Sequence, residues 1–199
     1  MISPPVVPDL AAVTPVDAFE RLFENEFITL ERLAISRRTA SGMDYLDETT
    51  ALARLLGADH EDGRSPSDPA LHGLHTAIHR AWPDITAVVT GTPLELRALL
   101  LEGLALPAST SMLIRRGVPD LAAHIVDGAA LLGPRQDEVL AGARALAESA
   151  GMQHVLLVTG EGLVCAAGPT MHETMAHYSN VAFAARVDCL RLEEPSARR

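Results

Sequence analysis

Three histidines, His72, His75 and His79, fall within one stretch of helical pattern. Their spacing lines them along one side of a helix, beside its apolar stripe. His75 and His79 have the i, i+4 relation that two zinc ligands on a helix use. The same spacing suits histidines packed partly into a core, and no Cys, Asp or Glu stands in register to complete a metal set. Thr90 and Thr92 follow at the end of a short apolar run. On a strand they point the same way and present two hydroxyls to one pocket, able to donate hydrogen bonds to an anion; as β-formers they also suit a strand end with no ligand. Glu161 stands between Gly160 and Gly162. The glycines fit close backbone approach or unusual dihedrals, and by residue pattern alone Glu161 reads as a solvated turn glutamate.

Composition removes several chemistries. All 16 basic residues are arginine. Schiff-base aldolases, pyridoxal-phosphate enzymes, P-loop NTPases and Ser-Lys hydrolases each need a lysine, so none of these mechanisms is available. No serine has a G-x-S-x-G setting, which leaves a serine hydrolase unsupported. The formal net charge of -10 argues against nucleic acid as a partner, because phosphate neutralisation needs a basic surface. Apolar runs such as 99–106 are too short to span a bilayer, so no membrane segment is expected. The start, MISPPVVPDL, has neither a basic n-region nor an apolar h-region. Two cysteines, Cys165 and Cys189, fit reduced thiols in a cytoplasmic protein better than a disulfide framework.

The elements that must position these residues alternate between helix and strand. Residues 1–13 read as an N-terminal arm, 14–192 as a single domain, and 193–199 as a polar tail. Thr14-Pro15 opens a helix whose apolar face runs through Leu30 to about Leu33. Residues 34–63 contain short β-like pieces and a Ser41-Gly42 turn. Asp68 and Pro69 open a second helix that runs to Trp82, and Ile85 to Thr90 is a buried strand. Helices are expected over 94–104, 109–116 and from Gly133-Pro134 to a Gly151 stop. A strand is expected over 121–126. Strands over 154–159 and 163–166 meet at Gly160-Glu161-Gly162. The last helix begins with the capping box Thr170-Met171-His172-Glu173. This alternation indicates a layered α/β domain.

The stretch 74–93, LHTAIHRAWPDITAVVTGTP, resembles the central segment of the class II aldolase/adducin family. There a helix H-x-x-I-Y-R-x-x-P-D precedes a strand ending V-V-H-x-H-P, and both histidines of H-x-H bind zinc. This chain has Thr90 and Thr92 at those positions. The family motif L-L-x-x-H-G-L, which carries the third zinc ligand, resembles residues 156–163 with Glu161 in the ligand place. Ala34 to Arg38 resembles G-N-I-S-x-R, with Leu33-Ala34 replacing Gly-Asn; Thr39 to Gly42 resembles T-P-S-G. Ser65 to Asp68 resembles P-S-S-E, which carries the catalytic acid.

The resemblance implies a three-layer α/β fold, with a mixed central sheet flanked by helices. It implies phosphate contacts from Ser41, Gly42, Ser65 and Ser67, with Arg37, Arg38 and Arg64 as further charge. With three ligands replaced, no zinc and no other cofactor is expected, and zinc-dependent aldol cleavage is expected to be lost. Such a chain would bind a small anionic or carbohydrate-like molecule, or serve as a scaffold, in a homo-oligomer that the family makes a tetramer. The alternative is a divergent aldehyde-lyase or isomerase with Glu161 and Asp68 as acid and base, or a metal recruited by His72, His75 and His79. A partner-binding module using the arm or the acidic 58–63 loop is a third reading. Family aldolases borrow a tyrosine from a neighbouring subunit, but the helical spacing of Tyr178 fits core packing.

Overall fold

The computed structural model describes residues 13–25, 28–57, 66–101, 125–149 and 151–193. Outside them lie the expected arm up to residue 12, Ser65, Arg64, the 58–63 loop, the 109–116 helix and the end of the tail.

Helix α1 (Pro15–Glu24) starts as its sequence requires. The Thr14 hydroxyl accepts the Asp17 N–H at 3.1 Å, and the Asp17 carboxylate accepts the Thr14 N–H at 2.9 Å. This reciprocal cap satisfies two otherwise orphaned donors. The helix ends well before Leu33. Asn25 caps it, and Arg32 turns the chain with φ 54°. Leu30 and Leu33 still reach the same core, from a turn, so their helical spacing is coincidental.

A β-hairpin follows, β1 (Ala34–Thr39) and β2 (Gly42–Asp47). Helix α2 (Glu48–Leu55) was not evident in the sequence because it buries only Ala51. Helix α3 (Pro69–Ala81), strand β3 (Ala87–Gly91) and helix α4 (Leu94–Leu101) follow the expected order. Next come β4 (Ile125–Val126), a short α5 (Gly128–Leu131) with no sequence signal, and α6 (Gln136–Ser149). Strands β5 (Val155–Thr159) and β6 (Val164–Gly168) form the second hairpin, and α7 (Met171–Glu193) completes the chain. At its start the Thr170 hydroxyl accepts the Glu173 N–H at 3.2 Å and donates to the Glu173 carboxylate at 3.0 Å.

The strands form one mixed sheet in the order β2-β1-β3-β6-β5-β4; only β4 and β5 pair in parallel. Side-chain alternation divides the core in two. Ala87, Val89, Leu156, Val158, Val164 and Ala166 face α1, α4 and α7. Val88, Val155, Leu157, Cys165 and Ala167 face α3 and α6. The result is helix, sheet, helix: the three-layer α/β architecture expected from the sequence.

Candidate functional site

Strand register decides which candidates can meet. Ala34 pairs with both Asp47 and Thr90, Gly91 pairs with Val164, and Val126 pairs with Thr159. These residues mark one end of the sheet, together with Thr92 and the turn that carries Glu161. Thr39 pairs with Gly42 at the opposite end. Ser41 and Gly42 are therefore separated from Thr90 by the length of β1, roughly 17 Å at about 3.3 Å per residue. The Ser41 hydroxyl instead meets Thr39 Oγ1 at 3.3 Å in the hairpin turn. Among the described residues, Ser41 and Gly42 therefore stand apart from Thr90 and Thr92.

At the Thr90 end, α3 and the sheet share a buried polar chain. Ser36 Oγ lies 2.7 Å from His75 Nδ1 and 2.9 Å from His79 Nε2. His75 Nε2 lies 3.1 Å from Thr90 Oγ1, which donates to the Ala34 carbonyl at 3.2 Å. Because Thr90 donates, it accepts from His75 Nε2–H. Ser36 then donates to His75 Nδ1 and accepts from His79 Nε2–H, which assigns each ring a neutral tautomer. Ser36, His75 and Thr90 are completely buried. Burial, reinforced by His79 and His72, pushes the His75 pKa down to about 3. Burial and then the Arg38 guanidinium hold His79 low as well.

Three of the four nitrogens of the i, i+4 histidines thus meet hydroxyls, and His72 sits apart from that chain, edge-on to Tyr45. Among the described residues, no three His, Cys, Asp or Glu side chains gather as a metal-binding group. Ser36 stands at the serine of the segment that resembles G-N-I-S-x-R, but its contacts to the two histidines appear only when β1 is laid against α3.

Asp68 works as the N-cap of α3, accepting from the Ala70 and Leu71 N–H groups at 2.9 and 3.1 Å. The buried α3 residue one turn before His75 is Leu71. With Ala34 and Leu163 it forms a small apolar cluster between α3 and the β5–β6 turn, backed by Tyr45 and Leu132. Leu33 and Ala34, standing where the resemblance has Gly-Asn, are both core residues. Ser67 donates its N–H to Asp47 at 2.8 Å, and the other Asp47 oxygen caps α2 through Thr50. Desolvation pushes the Asp47 carboxyl up, but the bonds from Ser67 and Thr50 outweigh it and leave the pKa below the usual carboxylate range. Arg37 pairs with Asp44 at 2.8 Å. Arg38 donates to the His79 and Trp82 carbonyls at the C-terminus of α3, where a cation is favoured. Both arginines are spent on structure.

Glu161 is exposed in the β5–β6 turn, where Gly162 adopts φ 88°. Its carboxylate lies over Gly128 at the start of α5; a Cβ there would stand 2.5 Å from Glu161 Oε2. Zinc at the family's position would call on Thr90, Thr92 and Glu161, and these residues do not fit it. Zinc takes nitrogen, sulfur or carboxylate donors at about 2.0–2.3 Å. The Thr90 hydroxyl is neutral and already committed. Thr92 Oγ1 is buried without a hydrogen-bond partner among the described residues, but it too is a neutral hydroxyl. One carboxylate remains.

Tyr178 is buried in the α7 core, its hydroxyl without a partner among the described residues. It lies against Gly91, where a Cβ would stand 2.6 Å from the phenolic oxygen. Cys165, the β6 partner of Thr90, is buried, and desolvation raises its thiol pKa to about 12.

Several solved structures share this fold. L-fuculose-1-phosphate aldolase from Thermus thermophilus matches with a TM-score of 0.58 and 17% identity, over 96% of this chain and 98% of its own. YgbL from Escherichia coli, a candidate aldolase/epimerase/decarboxylase, matches with a TM-score of 0.52 and 17% identity, over 91% and 89%. Its counterpart from Klebsiella pneumoniae matches with a TM-score of 0.51, 17% identity and coverage of 92% and 90%. At that identity the likeness is one of fold. No curated protein matches the chain by sequence. The profile of the Class II Aldolase and Adducin N-terminal domain matches residues 25–189, most of the chain, and the protein belongs to that family.

Proposed function

We propose that this family member has given up zinc-dependent aldol cleavage and serves as a metal-free oligomer, binding a small anionic or carbohydrate-like molecule or acting as a scaffold. One observation carries the reading: the Thr90 hydroxyl, at a zinc-ligand position, is fully buried and closed between His75 and the Ala34 carbonyl. A metal that polarises a substrate oxygen needs ligands free to hold it and an open coordination position. Ala34, the β1 partner of Thr90, packs with Leu71 and Leu163 in an apolar cluster. The buried Thr92 hydroxyl is the group left to meet a hydrogen-bonding ligand. Reduced thiols at Cys165 and Cys189 favour a reducing compartment, the cytoplasm. Among the described residues no helix is long and apolar enough to cross a membrane.

Elemental analysis of protein purified without a metal-affinity tag, with retro-aldol and epimerase assays on a sugar-phosphate panel, tests this. The expected result is no stoichiometric metal and no turnover, with thermal shifts on ligand screening if the binding form of the reading holds. One zinc, iron or manganese retained per chain through dialysis would overturn it. The divergent lyase or isomerase reading keeps Glu161 as an exposed carboxylate at this end of the sheet. It requires turnover that disappears in a folded Glu161→Gln variant.

A further inference from the structure

Helix α6 carries a glycine that its backbone does not need. Gly142 lies in the helix interior without a positive φ, and a Cβ built on it would meet nothing within 4 Å. Such a glycine costs about 0.5–1 kcal/mol relative to alanine. What it provides is the space in front of it. That space is part of a cleft of about 360 Å³ between α6, α5 and the β4–β5 edge of the sheet. Val126, Ala130, Val139, Ala143, Leu146 and Leu157 give the cleft carbon walls. Leu157 is 2% exposed and forms the floor, and Leu146, 37% exposed, stands at the mouth. Three exposed ionisable residues complete the lining: Asp127, Arg135 and Glu138. Both Asp127 oxygens are committed, one accepting the Ala129 N–H at 2.9 Å and the other the Arg135 guanidinium at 3.0 Å. Glu138 has no hydrogen bond or ion pair among the described residues. It precedes Gly142 by four residues, which sets its side chain beside the gap.

We propose that this cleft binds a small organic cation, an ammonium group carried on an apolar body of about one ring, with Glu138 as its counter-ion. None of Thr90, Thr92 or Glu161 lines the cleft, so the inference goes beyond the function proposed above. Shape is the first argument. The volume falls within the roughly 300–1,000 Å³ of small-molecule sites, which are mostly apolar and use a few polar groups to fix orientation. Charge is the second. The lining carries two carboxylates and one guanidinium, and that guanidinium is already held by Asp127. An anionic head would face Glu138 and compete with Asp127 for Arg135. A neutral guest would leave the Glu138 carboxylate unused. An ammonium group pairs with it while its carbon body covers Leu157 and Ala143. The net charge of -10 on the chain also favours the approach of cations.

NMR titration of the full chain with benzylamine, benzyl alcohol and benzoate, at constant ionic strength, tests the assignment. The three probes share one ring and differ in charge. Benzylamine is expected to shift the amides of the cleft residues saturably, in the millimolar range that a ligand of about eight non-hydrogen atoms reaches. Benzyl alcohol should bind roughly threefold to fivefold more weakly, the worth of one exposed ion pair, and benzoate more weakly still. Glu138→Gln should bring benzylamine to the level of benzyl alcohol and leave benzyl alcohol unchanged. Gly142→Leu fills the gap and should abolish binding of both. It replaces a helix-interior glycine with a strong helix former, so the fold is expected to be retained; thermal unfolding verifies this, and if it fails, Glu138→Gln carries the test. No saturable shift with benzylamine overturns the proposal. So does benzylamine binding that survives in a folded Gly142→Leu variant, and so does benzoate binding as tightly as benzylamine.

Discussion

The Ser36 hydroxyl stands 2.7 Å from His75 Nδ1, deep between β1 and α3, and the same oxygen reaches His79 at 2.9 Å. Removing it leaves two buried imidazole nitrogens without a partner. Each such orphan costs about 1–3 kcal/mol. Ser36→Ala should therefore lose roughly 2–4 kcal/mol in urea unfolding with an unchanged m-value. A loss below about 0.5 kcal/mol would mean that the buried chain does not stabilise the fold.

The same imidazoles make the protein acid-sensitive. Burial depresses the His75 pKa to about 3 and lowers that of His79. In the unfolded chain both titrate near 6.5. The contribution of both is therefore complete above about 6.5 and declines as pH falls, for His75 towards 3, because the unfolded state gains protons that the folded state refuses. His75 contributes a slope of up to about 1.4 kcal/mol per pH unit in that window, and His79 adds to it with the same sign. Unfolding free energies measured from pH 7 to 4 should decline with that sign, and the decline should shrink in His75→Gln. A flat profile across the window would contradict neutral buried histidines.

The contact between Tyr178 and Gly91 separates space from polarity. Gly91→Ala puts a methyl 2.6 Å from a fully buried phenolic oxygen, an overpacking expected to cost about 1–3 kcal/mol. Tyr178→Phe removes a hydroxyl that lacks a partner among the described residues, so it should be neutral or slightly stabilising. The double variant should recover most of the loss, read as a coupling energy in a double-mutant cycle. Strict additivity would show that another neighbour meets the methyl.

Restoring histidines should not restore zinc. In the triple variant Thr90→His, Thr92→His, Glu161→His, the first ring must fit a fully buried position in direct contact with His75, beside the apolar cluster of Ala34, Leu71 and Leu163. The variant should be destabilised, and titration against a chromophoric chelator should find no tight zinc site. Tight stoichiometric zinc would show that the ligand changes alone account for the loss.

Much of the frame could be read from residue order. The caps at Thr14 and Asp68, the proline after each, and the apolar run before Thr90 report local chemistry, and the helices and strand they announce are present. The candidate site was legible only where local pattern suffices. His75 and His79 declared a shared helix face, but their partner Ser36 lies about forty residues away on β1, and its place in the segment resembling G-N-I-S-x-R does not tell that it meets them. Ser41 and Gly42 kept a recognisable turn motif while the hairpin register sent them to the far end of the sheet. Asp47, which holds α2 and the Ser67 turn together, looked like one acidic residue among many. Register and layer packing are long-range quantities that local spacing does not contain.

The burial of Cys165 has a practical consequence. It sits on the central strand directly beside Thr90, with its thiolate strongly disfavoured, whereas Cys189 is only half-buried on α7. Alkylation should therefore run in two phases, Cys189 first, and Cys165 only when the sheet opens. The slow phase makes Cys165 a native clock for the opening of the layer that holds the histidines, timed in the unlabelled protein without an engineered probe.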